Sequence, residues 1–265
     1  MAEKELYDKI SLSQEVQRYQ TSAAFLELLY EQFNGADRLL AIGAGARLIT
    51  TLSAMANELH VLDVNQGSID RAREMTKSWR MYKDIEPLKR EFNFLAGKGR
   101  LIRLDNCHFY LNDIPKELNG TFDGELAAEL FLHLTEEEIK TIVTNARQHL
   151  KPTGRFVFTV YVTGERTSLD NLFADLGTKI GLGRREFIKD GVVDITTLAE
   201  QLKARNPALF KESKEKYWLD LERVRAFSRQ NIEDICNSSG FKIVSAQNIN
   251  CGMFPDAHRL VYVLN

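Results

Sequence analysis

One stretch constrains this chain more than any other: residues 38–63, RLLAIGAGARLITTLSAMANELHVLD. Leu39-Leu40-Ala41-Ile42 is a short apolar run that fits a buried strand. Gly43-Ala44-Gly45 turns tightly, and residues 47–57 carry apolar positions at helical spacing. Leu59-His60-Val61-Leu62 predicts a second strand that ends on Asp63. Strand, glycine turn, helix and strand form one right-handed crossover unit, which demands a parallel sheet. Glycines let a backbone approach a ligand closely, and the helix N-terminus offers free N–H groups. An acid at the end of the second strand can accept hydrogen bonds from ribose hydroxyls. The unit therefore reads as a pocket for an adenosine-containing cofactor.

The dinucleotide fingerprint G-x-G-x-x-G wants a third glycine at position 48, where Leu48 stands. That departure counts against NAD or FAD. S-adenosylmethionine (SAM) carries ribose and adenine without phosphate, so it needs the glycine turn and the acid but no phosphate cradle.

The remaining chain supplies a regular series of elements. Ser11-Leu12-Ser13-Gln14 has capping-box spacing. From Val16 to Phe33 apolar residues recur every three or four positions, which predicts an amphipathic helix stopped by Asn34-Gly35. Arg18 and Tyr19 on it could reach or cover a cofactor. Residues 67–82 predict a charged, solvated helix. Phe92-Asn93-Phe94-Leu95 before Gly97-Lys98-Gly99 suggests a local excursion or hairpin. Residues 107–111 read as a third strand ending at Asn112-Asp113, which could receive an adenine amino group. Asp105 is the alternative if residues 101–104 form a strand. The start of FDGELAAELFLHL reads as a fourth strand, in which Glu125 should be paired unless the strand begins later. Thr135-Glu136-Glu137-Glu138 opens a helix over 136–149. Residues 151–154 predict a turn, and RFVFTVY a fifth strand.

Residues 163–226 break this alternation and are too long for a connection, so a helical cap inserted over the cleft is expected. Its aromatics Phe173, Phe187, Phe210, Tyr217 and Trp218 belong either to a core or to an apolar acceptor pocket. Beyond it, Ser228 caps a helix ended by Ser239-Gly240. Residues 241–249 and 258–264 form a final antiparallel pair.

Charge and composition narrow the partners. The 265 residues carry a net charge of −2, which gives no basic excess for a nucleic-acid backbone. No stretch reads as a signal peptide or membrane span, so a cytoplasmic protein is expected. Cys107, Cys236 and Cys251 share no C-x-x-C spacing, and the five histidines lack a ligand pattern, so no metal is expected.

LLAIGAGA with Asp63 one crossover later, YLNDI, FDGELAAELFLHL, LKPTGRFVFTV and SSGFKIVSAQ…HRLVYVLN together resemble the class I SAM-dependent methyltransferases. The match covers roughly residues 15–160 and 227–265. It implies an α/β fold: a seven-stranded, mostly parallel sheet with helices on both faces and the last strand antiparallel. The SAM-binding domain would comprise 1–163 and 227–265, with the cap at 164–226. By position, Gly43, Ala44 and Gly45 would line the methionine and ribose of SAM. Asp63 would bind the ribose, Val64 would lie beside adenine, Asn112 and Asp113 would meet the adenine edge, and Glu129 would lie near the sulfonium. Ala41 stands where the family usually has an acid, and Arg47 where it often has a third glycine.

Ligands of such sheets bind at the carboxyl ends of the strands. That edge collects His133, Tyr161 and His258 as candidate bases. The expected activity is methylation of a small organic acceptor, a metabolic or natural-product intermediate, at O, N or C. Methylation of a peptide or protein, and a SAM-fold binding protein without catalysis, are the alternatives. No nucleic-acid or membrane partner is expected, and a homodimer is left open.

Overall fold

In the computed structural model the residues described are 21–43, 45–111, 121–162, 177–181, 188–189, 192–211, 225–250 and 258–265. Buried apolar runs make the central strands. β1 (Ala36–Ile42) ends in four consecutive buried residues, Leu39 to Ile42, the pattern of a parallel strand covered on both faces. β2 (Ala56–Asp63) and β4 (Phe122–Ala127) repeat it. With β3 (Cys107–Leu111), β5 (Leu150–Val160), β9 (Ile243–Asn250) and β10 (His258–Leu264) they form one sheet. Its order is β3-β2-β1-β4-β5-β10-β9. Strand β10 runs antiparallel to both neighbours, and the β1–β5 pairings are parallel. This is the α/β sheet the sequence predicts.

Two apolar layers hold it. Helices α1 (Ala23–Phe33), α2 (Ala46–Ser53) and α3 (Gln66–Tyr82) pack Phe25, Leu29, Phe33, Ile49, Leu52 and Ile69 on one face. Phe33 sits directly on Gly124 of β4, where an added Cβ would come within 2.5 Å of its ring. On the other face, α5 (Glu136–His149) and α7 (Arg229–Ser238) cover Leu40, Phe156, Phe158 and Tyr262. The capping box at Thr135 forms as expected: its hydroxyl accepts the Glu138 N–H, and Glu138 Oε2 accepts the Thr135 N–H. Ser228 caps α7 and Gly240, at φ +80°, ends it.

Several expectations change. The helix predicted over 16–33 begins at Ala23 within the described residues, because Ser22 is extended and caps it; residues 16–20 lie outside them. The helix expected over 47–57 ends at Ser53, and β2 begins at Ala56. The suspected hairpin near 92–99 is a helix, α4 (Glu86–Gly97). Pro87 fits its first turn, and Leu88, Glu91 and Leu95 are buried on one side of it. The Thr51 hydroxyl donates to the buried Glu91 carboxylate at 2.8 Å and ties α4 to α2. Residues 101–104 are not a strand. Asp105 lies in a 3-10 turn, Leu104–Asn106, at the amino end of β3, so it cannot reach the carboxyl edge. The turn at 151–154 is absorbed into β5, whose register with β4 slips there.

Glu125 overturns its expectation outright. Strand β4 starts before it, and it is fully buried, with no hydrogen-bond partner on either carboxylate oxygen among the described residues. It pairs in register with Leu40 and Phe156, and this burial pushes its pKa well above the carboxylate range.

The insertion leaves the sheet after β5 and returns at Phe227, whose N–H donates to the Tyr161 carbonyl at 2.9 Å. Besides helix α6 (Ile195–Arg205) it contains a small antiparallel sheet the sequence does not announce. That sheet comprises β6 (Ile188–Lys189), β7 (Val192–Asp194) and β8 (Arg225–Ala226). Among the described residues no helix is long and apolar enough to cross a membrane.

Candidate cofactor and acceptor site

The strand order reverses at β1, with β2 on one side and β4 on the other. The crevice at the carboxyl ends of these strands is the topological switch point where open α/β sheets bind ligands. Gly43 ends β1 at φ +61°, a conformation that side chains resist. Its N–H donates to the Leu62 carbonyl at 2.8 Å, which holds the glycine turn one residue from Asp63 on β2. The turn and the acid therefore border the same crevice.

The opposite wall comes from β4. Leu130 packs on Gly43 so closely that a Cβ there would lie 2.8 Å from its Cδ1. The residue before it, Glu129, is the only non-glycine at positive φ among the described residues, at +61°. Backbone strain of this kind persists only where surrounding contacts hold it, and it gathers at ligand sites. Thr159 of β5 supplies the hold. The Glu129 N–H donates to Thr159 Oγ1 at 2.8 Å, and that hydroxyl faces Glu129 Oε1 at 3.3 Å. Thr159 was not among the sequence candidates, because nothing in its strand sets it apart from its neighbours.

Helix α2 begins at Gly45, which offers no side chain to cap the first turn. The first turn of α2 is therefore closed by backbone alone, with the Leu48 N–H donating to the Gly45 carbonyl at 3.2 Å. Asp63 is half-buried, and its Oδ1 accepts the Asn65 N–H at 2.8 Å. Asn65 in turn caps α3, so the acid is held by the start of a helix. Val64 beside it is 72% exposed, an apolar side chain presented at the mouth of the crevice.

The candidate bases lie on the β4–β5 side. His133 ends a 3-10 turn, Phe131–His133, that follows Glu129, and β8 of the insertion runs alongside that turn. Tyr161 follows β5 and is buried, with its carbonyl accepting the Phe227 N–H. His258 opens β10, two residues before the Leu260–Val160 pair, which puts its backbone at the same edge. Gly43, Gly45, Asp63, Val64, Glu129, His133, Tyr161 and the backbone of His258 thus share one edge of the sheet. Tyr19, Ala44, Asn112 and Asp113 lie outside the described residues.

No protein-family model matches the sequence, and no curated protein matches it. Solved structures do match in fold. A Rhodobacter sphaeroides protein provisionally named a Zn-dependent alcohol dehydrogenase aligns with TM-score 0.63 at 17% identity, covering 100% of this chain and 98% of its own. The N-methyltransferase NodS of Bradyrhizobium japonicum, solved with S-adenosylhomocysteine, aligns with TM-score 0.56 at 14% identity over 99% and 96% of the two chains. A SAM-dependent methyltransferase of Leishmania major aligns with TM-score 0.54 at 12% identity over 99% and 81%. At these identities the likeness speaks for the fold. A dinucleotide-binding sheet runs 3-2-1-4-5-6 in parallel. Here an antiparallel strand is inserted beside β5, as the class I SAM-dependent methyltransferase fold requires.

Proposed function

We propose that this chain is a SAM-dependent methyltransferase acting on a small organic acceptor. The observation that carries the reading is the pairing, at one switch point, of an uncapped glycine turn with a helix-anchored acid. Asp63 has the charge and position to accept ribose hydroxyls, and Val64 the exposed apolar surface to lie against adenine. Gly43 and Gly45 bring backbone close enough for a bulky ligand, and the strained Glu129 points to the reacting end. Neither the turn nor the helix start resembles a diphosphate cradle, since Leu48 replaces the glycine that one needs. Tyr19, Ala44, Asn112 and Asp113 belong to the same proposed cofactor shell.

Bound SAM supplies an activated methyl group on a sulfonium, so the protein's task is proximity and alignment. The Thr159 clamp holds the Glu129 backbone in one conformation beside that group. We assign to His133, Tyr161 and His258 the role of taking a proton where the acceptor is a hydroxyl, an ammonium or a carbon acid. We assign acceptor entry to the side of the sheet where β8 lies against the turn that holds His133.

Incubation of the protein with methyl-labelled SAM and a cell extract, followed by separation by size, tests this. Label is expected in the small-molecule fraction. Label confined to macromolecules would shift the reading to peptide or protein methylation. A second reading, a SAM-binding protein without catalysis, draws on Ala41: the position that usually carries an acid in the family is fully buried and apolar here. Binding without transfer to any fraction would favour it.

A further inference from the structure

We propose a second site, for a divalent transition-metal ion, on one face of β2 and β3, formed by the buried His60 and the more exposed Glu58 and His108. The sequence hides it, because the three residues meet only through strand register. Glu58 and His60 are two apart on β2 and so share a face, and His60 pairs in register with His108 on β3. One ligand atom from each lies within 4.8 Å of the others. The site lies away from the cleft, since His60 and Glu58 precede Asp63 by three and five residues, roughly 10 and 17 Å along the strand.

The geometry is that of a cation site already holding a cation. His60 Nε2 and Glu58 Oε2 are 3.5 Å apart. Two donors bound to one zinc at about 2.1 Å in a tetrahedron stand about 3.4 Å apart. The Arg38 guanidinium now serves both: Nη2 lies 3.3 Å from His60 Nε2, and Nε lies 3.2 Å from Glu58 Oε2. A guanidinium only donates, so the tautomer of His60 that accepts from Arg38 at Nε2, at the shorter of its two contacts, carries its proton on Nδ1. In that tautomer Nδ1 donates to the Tyr110 hydroxyl, 3.0 Å away. A ring nitrogen aimed at the cation, with the other pinned by an outer hydrogen bond, is the arrangement of a metal-bound histidine. His108 stacks on His60 with centroids 4.8 Å apart and is exposed, so it can close on an ion arriving from solvent. Arg38 keeps a seat over the Phe122 ring, 4.9 Å away, once it yields its place. Two imidazoles and a carboxylate suit zinc, cobalt or nickel better than magnesium or calcium. Such an ion would tie the edge strand β3 to β2.

Titration of the full-length, tag-free protein with Co²⁺, followed by its visible absorption, tests the site. One equivalent is expected to bind, to be displaced by Zn²⁺ and to raise the melting temperature. His108→Ala and Glu58→Gln alter exposed side chains, so both variants should keep the metal-free melting temperature and lose the absorption. Tyr110→Phe should weaken binding by about tenfold. Arg38→Met should tighten it, because the competing cation is gone. No absorption with the wild type, an absorption that persists in His108→Ala, or weaker binding by a folded Arg38→Met would each overturn the proposal.

Discussion

The two edges of the sheet are built on opposite principles. At the amino edge the chain closes on itself. Asp123 Oδ2 accepts the N–H groups of Asp37 and Arg38, at 3.0 and 2.9 Å, and its Oδ1 accepts Lys151 Nζ at 2.7 Å. Asn57 donates to Asp37, and Asn106 donates to the Asn57 carbonyl. At the carboxyl edge the backbone is bent into positive φ at Gly43 and Glu129, and α2 starts without a side-chain cap. One edge commits its polar groups to hydrogen bonds within the chain, while the other keeps strained backbone beside the crevice. Changes at the carboxyl edge should therefore move binding, and changes elsewhere should move stability.

The largest effect is expected at Asp63. Asp63→Ala should weaken binding of S-adenosylhomocysteine by on the order of 1–3 kcal/mol, the cost of losing a charged acceptor. Calorimetric titration checks this, and wild-type affinity would break the comparison. Glu125→Leu, between the edges, should stabilise the protein by about 2 kcal/mol at neutral pH, since it removes a buried carboxyl without partners. The sign with pH follows. The folded state keeps the Glu125 proton after the unfolded chain has lost it, so stability falls as pH rises above the ordinary carboxylate range. Denaturant melts across pH should show this slope in the wild type and a flatter one in the variant.

Glu129→Gly should raise stability by about 1 kcal/mol by relieving positive φ, and lower methyl transfer at the same time. A gain in both, or a loss in both, would deny that the strain serves the site. The smallest effect is expected from Asp123→Asn. Burial alone would raise this carboxyl, but the Lys151 ammonium and then the Arg38 and Asp37 amides pull its pKa below the usual range. Its contribution is present above the unfolded pKa and fades as pH falls through the folded one. The variant should lose about 0.5–1 kcal/mol at neutral pH, nothing in strong acid, and no cofactor affinity.

Local signals carried most of the sheet. The apolar runs at 39–42 and 156–160, the Thr135 capping box and the glycines at 35 and 240 each name their element through a local cause. Helix α4 was also written in the chain, by Pro87 at its start and by Leu88 and Leu95 seven apart. The terminal Gly97-Lys98-Gly99 outweighed them. What the sequence could not show depends on register. Thr159 meets Glu129 only because β5 lies beside β4, and His60 meets His108 only because β3 lies beside β2. Glu125 breaks the rule that a buried acid finds a partner, and no pattern in FDGELA foretells that. The candidate cleft was legible through Gly43, Gly45, Asp63 and Glu129, whereas the clamp behind Glu129 was not.

The most direct test is calorimetric titration of the wild-type protein with S-adenosylhomocysteine and, separately, with NAD⁺. A single S-adenosylhomocysteine site and no heat from NAD⁺ are the predicted result. Saturable NAD⁺ binding with none of the nucleoside at millimolar concentration would contradict the reading of the carboxyl edge.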